Sequence, residues 1–309
     1  MVAPKRFEFS FRDAAIFNAE RVCLVAGIDK LDELHIARTL VIRWNEGWSS
    51  QAFDLVAVSV CLLTEPQRIV LGLGVDGRVA RWGPVGFFTE CIDADTAGLA
   101  AMGAMREIRV IGQRAYAVGM GRTAYRRDGI DDWTRIDAGV RANPSPASGK
   151  GFNSIDGFDE DEIYAVGWDG ELWQYDGRDW IQHSLPTKLA LQKVVCGQDG
   201  IVYAVGQGGL VLRGRHDAWE VIDHALTAET FWGACWFQDK LYASTSHGIF
   251  ALHDGQLSTL DPGKFNKFGK AAANAFYRLA AHEDCIWSVG EKQLIRSTDG
   301  INWTELPYA

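Results

Sequence analysis

Arg12, Arg109 and Arg278 each fall in a short run of alternating apolar residues, and three guanidinium groups brought to one point could grip a carboxylate through paired, charge-assisted hydrogen bonds. Hydrolysis at such a site would also need a nucleophile and an acid, and no Tyr-Glu pair stands at a spacing that nominates it. Lone arginines on strands more often pair with nearby acids, so no catalytic residue is assigned. A metal finds no better support. The seven histidines (His35, His183, His216, His224, His247, His253 and His282) never stand two or four residues from one another, and none neighbours a cysteine at a zinc spacing. The acidic run Asp159-Glu160-Asp161-Glu162 lacks the spacers and glycine of a calcium loop and reads as a solvated turn. Gly72-Leu73-Gly74 and Gly206 to Gly209 open no helix, so no phosphate-binding loop and no cofactor are expected.

The segments that carry these residues repeat. A unit of aromatic-Ala-Val-Gly, a short turn, an apolar alternation, Asp-Gly and then Trp is clearest at Tyr164-Ala165-Val166-Gly167, which leads through Gly170, Leu172, Tyr175 and Asp176-Gly177 to Trp180. Tyr203-Ala204-Val205-Gly206 leads likewise to Trp219, and Tyr116 to Gly119 leads to Asp128-Gly129 and Trp133. Weaker copies start at Leu24, Leu71, Tyr242 and Trp287. The starts are spaced by 47, 45, 48, 39, 39 and 45 residues, so seven units fill the chain of 309. Within each unit, period-two alternation broken by Gly, Asp-Gly or Asn reads as four short strands. In the fifth these are Gln192 to Cys196, Ile201 to Val205, Leu210 to Arg213 and Trp219 to Ile222. One small twisted sheet cannot bury both faces, whereas seven arranged radially can, with the recurring Trp and Tyr between them. The expected fold is all-β, a seven-bladed β-propeller of four-stranded antiparallel blades. It forms a single domain over 1-309, with blades at about 7-53, 54-93, 106-139, 152-187, 190-227, 230-261 and 277-308. The alternating Phe7, Phe9 and Phe11 either begin the first blade or add to the seventh across the seam.

At Ser297-Thr298-Asp299-Gly300-Ile301-Asn302-Trp303 the chain resembles the Asp-box, or bacterial neuraminidase (BNR) repeat, S-x-D-x-G-x-T-W, with the Asp-to-Trp interval one residue short. The Tyr-Ala-Val-Gly units with their Asp-Gly and Trp are similar to those of the sialidase-like and photosystem II assembly-factor-like β-propeller superfamily, from about Arg21 onward. The resemblance implies that the box closes a peripheral turn between the third and fourth strands of a blade, as a folding element. Asp128, Asp176, Asp254 and Asp299 are then expected in Asx-type turns, with the following Gly at positive φ. It also implies two alternative functions: a sialidase-like glycan-binding or glycan-cleaving protein, and an assembly factor resembling that of photosystem II. Phe11-Arg12 lacks the Ile-Pro that follows the first arginine of the sialidase motif.

What recurs from blade to blade is what the fold demands, and departures are free for function. With strands A (innermost) to D (outermost) antiparallel, the B-to-C turns and D-to-A connections emerge on one face, the A-to-B and C-to-D turns on the other. Asp29 to Arg38 is a B-to-C insertion, while Ala94 to Met105, Val140 to Asn153 and Pro262 to Phe276 are D-to-A connections, so every long departure lies on the same face. The residue after the Val-Gly turn also lies there and changes freely: Val75, Met120, Trp168, Gln207, Ser246, Glu291. Packing does not require a Trp at this turn, and aromatic anchors dominate binding energy at interfaces. The alternative is a Trp168 folded over its own blade. The residues expected to touch a partner are Trp168, Asp169, Met120, Gln207, Arg141, Lys150, Lys264, Lys267, Phe268 and Lys270. Basic and acidic residues are mixed on the insertions, which suits a specific protein better than a polyanion.

Apolar residues make up 47% of the chain, enough for a full core, and 31 basic against 40 acidic residues leave a net charge of −9. That balance disfavours nucleic acid and favours a neutral or basic partner. No run approaches the ~18 apolar residues of a membrane helix, and charges interrupt Met1 to Glu20, so neither membrane nor export is expected. Cys23, Cys61, Cys91, Cys196, Cys235 and Cys285 form no C-x-x-C and sit in apolar runs, the pattern of reduced core thiols in a cytoplasmic protein. The function expected is a non-catalytic protein-protein interaction propeller, monomeric when free: an intracellular bacterial adaptor or a toxin-neutralising immunity-type protein. It would dock its partner through the face carrying the B-to-C and D-to-A loops.

Overall fold

The alternating segments pair with their immediate sequence neighbours in the computed structural model, which describes residues 8–142, 149–260 and 276–306. The result is a seven-bladed β-propeller of four-stranded antiparallel blades. Blade 1 comprises Phe9–Asn18, Arg21–Ile28, Thr39–Asn45 and Trp48–Phe53; blade 2 Ala57–Leu63, Ile69–Gly74, Arg78–Gly83 and Gly86–Cys91; blade 3 Met105–Ile111, Arg114–Gly119, Ala124–Gly129 and Asp132–Arg135. Blade 4 comprises Phe152–Asp159, Glu162–Gly167, Leu172–Tyr175 and Trp180–His183, and blade 5 Leu191–Cys196, Val202–Gly206, Val211–Arg215 and Ala218–Val221. Blade 6 is Gly233–Phe237, Lys240–Ser244, Ile249–His253 and Gln256–Thr259, and blade 7 Arg278–His282, Cys285–Val289, Leu294–Ser297 and Thr304–Glu305. Blade 5 departs from the strands read in the sequence by a residue or so at most ends, because hydrogen bonding and not side-chain type decides where a strand stops. Among the described residues, two short α-helices, Asp29–Glu33 and Thr96–Met102, lie inside the insertions.

The core lies between blades. Leu71, Leu73 and Val79 of blade 2 pack with Ile108, Ala115 and Ala117 of blade 3, and Phe11, Val22 and Leu24 of blade 1 with Trp287, Val289 and Leu294 of blade 7. Burying each of the larger aliphatic and aromatic side chains stabilises by about 1.5–3 kcal/mol, which is why the blades require one another. The recurrent Trp spans these junctions: Trp180 of blade 4 stacks on Phe152 and donates its Nε1 hydrogen to Ile136 O, beyond the outer strand of blade 3, at 2.8 Å. Among the described residues, the ring closes without strand exchange. Phe9 and Phe11 begin blade 1, and the seam is joined by Phe11 N–H donating to Glu291 O at 2.9 Å and Lys292 Nζ to Phe9 O at 2.7 Å. Phe7 lies outside the described residues.

Three local expectations need correction. Asp176 and Asp299 do close Asx turns, each accepting two backbone N–H groups at 2.7–2.9 Å. Asp128 instead holds Arg126, and Asp254 itself takes the left-handed conformation (φ 49) ahead of Gly255. The acidic run is only half solvated, since Glu160 pairs with Arg114 of blade 3 and Glu162 with Arg215 of blade 5. Cys91, at the end of an outer strand, is exposed and not a core thiol.

Candidate functional site

The three arginines do not converge. Arg12 pairs with Asp32 at 2.7 Å and donates to Ala57 O, Arg109 pairs with Asp156 at 3.1 Å, and Arg278 donates to Trp232 O while lying over the Tyr277 ring. Of the three, only Arg109 lines the central cavity of about 260 Å³, together with Asp13, Ser59, Glu107, Lys193 and Trp236. The polar groups there join blades. An innermost strand is a sheet edge whose channel-side N–H groups lack ladder partners, and side chains of the preceding blade supply them. Asp13 Oδ2 accepts Val60 N–H at 2.9 Å, Ser59 Oγ accepts Ile108 N–H at 3.3 Å, and Glu107 Oε2 accepts Ile155 N–H at 2.8 Å. Ser154 Oγ accepts Val194 N–H at 3.1 Å, and Asp156 Oδ2 accepts Cys196 N–H at 3.0 Å. Lys193 reaches past blade 4 to Glu107, and burial pushes its ammonium down to about 8. Burial pushes the Cys61 and Cys235 thiols up to about 12, the direction of inert core cysteines.

The six described residues expected to bind a partner form one arc over blades 3 to 5. Met120 bridges Gly151 in the connection to blade 4, Gly121 N–H donates to Lys150 O at 2.9 Å, and Arg141 lies 3.7 Å from the buried Asp137. Trp168 is half-buried, with its Nε1 shielded from solvent and without a hydrogen-bond partner among the described residues, while Asp169 beside it is exposed. Asp169 adopts φ 57, where blade 5 places Gly208 at φ 68. A Cβ makes that conformation costly, though Asp tolerates it better than most residues. Gln207 serves the fold: its Oε1 accepts Ala190 N–H at 3.3 Å. Lys264, Lys267, Phe268 and Lys270 lie outside the described residues, as does the segment 143–148.

Sequence reading missed two residues of this arc, Arg122 and Glu171. They form a doubly hydrogen-bonded pair, Nε to Oε2 at 2.7 Å with Nη2 to Oε1 beside it, that ties the blade 3 turn to the blade 4 turn. Arg122 stands three residues after the glycine of its Val-Gly turn and Glu171 four after its own, so the repeat gave no signal that they pair. The charge is also distributed unevenly. On the opposite face Asp161, Asp176, Asp179, Asp199, Asp217, Asp239, Asp254, Glu283 and Asp284 are exposed, so much of the acidic excess lies away from the insertions.

Among solved structures, the chain is similar to YCF48 bound to a D1 peptide (TM-score 0.65, 14% identity, covering 97% of this chain and 94% of that one). It is also similar to the WD40 β-propeller domain of Doa1 (TM-score 0.68, 11% identity, covering 94% and 93%). These likenesses define the fold class, a β-propeller. No protein-family model matches the chain. The immune protein Tsi7 of Pseudomonas aeruginosa is 37% identical over 284 residues, 90% of each chain. The chain belongs to the same family as Tsi7.

Proposed function

We propose that this chain is an immunity protein that neutralises a protein toxin by binding it, without catalysis, through the face of B-to-C turns and D-to-A connections. The carrying observation is the 37% identity to an immune protein over 90% of both chains. A ring whose described insertions, Asp29 to Arg38 and Ala94 to Met105, share one face supports it, since loops on a rigid scaffold commonly carry recognition. The same reading makes the protein cytoplasmic and monomeric when free, with a neutral or basic partner, and takes Ser297 to Trp303 as a divergent Asp-box of structural purpose.

The test is calorimetric titration of the product of the adjacent gene into the purified protein, paired with growth rescue on co-expression. Trp168→Ala should weaken binding at least thirtyfold, the loss of about 2 kcal/mol typical of an aromatic anchor, with the melting temperature nearly unchanged. Unchanged affinity together with a large loss of stability would assign Trp168 to the blade and the interface elsewhere.

A further inference from the structure

Leu189 and Leu226 are 44% and 45% exposed, in the connections that lead into blades 5 and 6, neither of which carries a long insertion. Contacts place them in series with Trp168. The Trp168–Gly170 turn rests on Thr187 and Lys188, so closely that a β-carbon on Gly170 would stand 2.5 Å from Thr187 O. Leu189 Cδ1 lies against Gly208 in the next turn, 3.4 Å from where a β-carbon would be. Gly209 sits in turn on Thr227 and His224; His224 Nε2 meets Gly209 O at 2.6 Å, and Leu226 N–H donates to His224 Nδ1 at 3.4 Å. Gly170, Gly208 and Gly209 interpose no side chain along this arc.

The charges beside the apolar track have one dominant sign. Asp169, Asp223 and Glu229 are exposed along it, with Lys188 opposing them. Glu229 pairs with His247 at 3.1 Å, whereas Asp169 holds a left-handed backbone and makes no hydrogen bond or ion pair among the described residues. Exposed apolar residues scattered singly are normal, whereas apolar side chains joined in one continuous surface with a polar rim mark an interaction site.

We propose that the arc from Trp168 through Leu189 to Leu226 is a docking shelf for a basic protein segment with an apolar tip. The inference deepens the immunity reading and rests on it. The apolar tip seats on the leucines and the tryptophan, and Lys or Arg of the partner meets Asp169 and Asp223. Charge complementarity of this kind acts most on association rate and its salt dependence, apolar burial on dissociation.

The experiment titrates the adjacent-gene product into wild type, Leu189→Glu, Leu226→Glu, Asp169→Lys and, on the opposite face, Ile130→Glu. Each leucine variant should weaken binding at least tenfold. Asp169→Lys should slow association and flatten its salt dependence, and Ile130→Glu should bind as wild type. Leu189→Ser and Leu226→Ser are the milder pair if a glutamate variant fails to fold. Wild-type binding retained in all leucine variants would overturn the shelf and leave the immunity reading standing. Loss through Ile130→Glu alone would move the interface to the acidic face. No binding by the wild-type protein would remove the immunity reading and the shelf with it.

Discussion

The carboxylate of Asp156 on blade 4 accepts the Cys196 amide of blade 5 at 3.0 Å while its other oxygen holds Arg109 of blade 3 at 3.1 Å. One side chain thus joins three blades where their innermost strands would otherwise present bare edges to the channel. Asp156→Ala would leave a partly buried arginine and an edge amide unpaired. It should cost about 2–3 kcal/mol and lower the melting temperature by roughly 5 °C. Asp156→Asn, which keeps a carbonyl acceptor, should lose less. Thermal unfolding decides it: a melting temperature equal to wild type in Asp156→Ala would show that the channel staple carries no stability.

The seam should be the weakest junction, because blades 1 and 7, unlike the other neighbouring blades, are not joined by a connecting segment of chain. Arg296 of blade 7 donates to Ala19 O of blade 1 and pairs with Glu20 at 3.1 Å. Arg296→Ala should cost about 1 kcal/mol, the net worth of an ordinary hydrogen bond with an exposed ion pair adding little. Its diagnostic is local: native-state hydrogen exchange at the Phe11 amide, bonded across the seam to Glu291, should accelerate more than at amides of blade 4. Uniform acceleration round the ring would contradict a weak seam.

Backbone N–H groups of Asn302 and Ile301 hold the Asp299 carboxyl well below the usual carboxylate range. With the folded value below the unfolded one, the unfolded chain binds the proton more readily. The resulting stability is fully present above about pH 4 and is lost as pH falls through the folded value. Asp299→Asn should therefore be less stable than wild type at neutral pH and show a shallower acid limb in urea midpoints taken at decreasing pH. Parallel acid limbs would show that the turn hydrogen bonds do not depend on the charge.

All six cysteines are free thiols, and their surroundings separate them. Burial pushes Cys23, Cys61, Cys235 and Cys285 up to about 12 and raises the half-buried Cys196 as well, whereas Cys91 is exposed. Since the thiolate is the reactive form, brief alkylation of the native protein near neutral pH should label Cys91 first, and denatured protein should take up six labels. Rapid native labelling of Cys235 would mean that the central channel admits reagent and solvent freely.

The repeat of Tyr-Ala-Val-Gly, turn, alternation and Trp determined the blade count, the strand order and the face on which the insertions emerge, because each blade folds from local pairing and every copy states the same pattern. Sequence placed Arg122 and Glu171 after the Val-Gly turns of neighbouring units, but did not determine that they would meet. Contacts between blades decided that, and decided that Arg12, Arg109 and Arg278 engage separate neighbours where their types alone allowed a cluster. The same holds for the shelf. Trp168 was conspicuous because its sister positions are not aromatic, whereas Leu189 and Leu226 look like any loop leucine in one dimension. Only the radial arrangement, which sets the blade 4 turn on Thr187 and the blade 5 turn on Leu189, lines them up, because the spacing of residues on different blades is fixed by sheet packing and not by the distance between them along the chain.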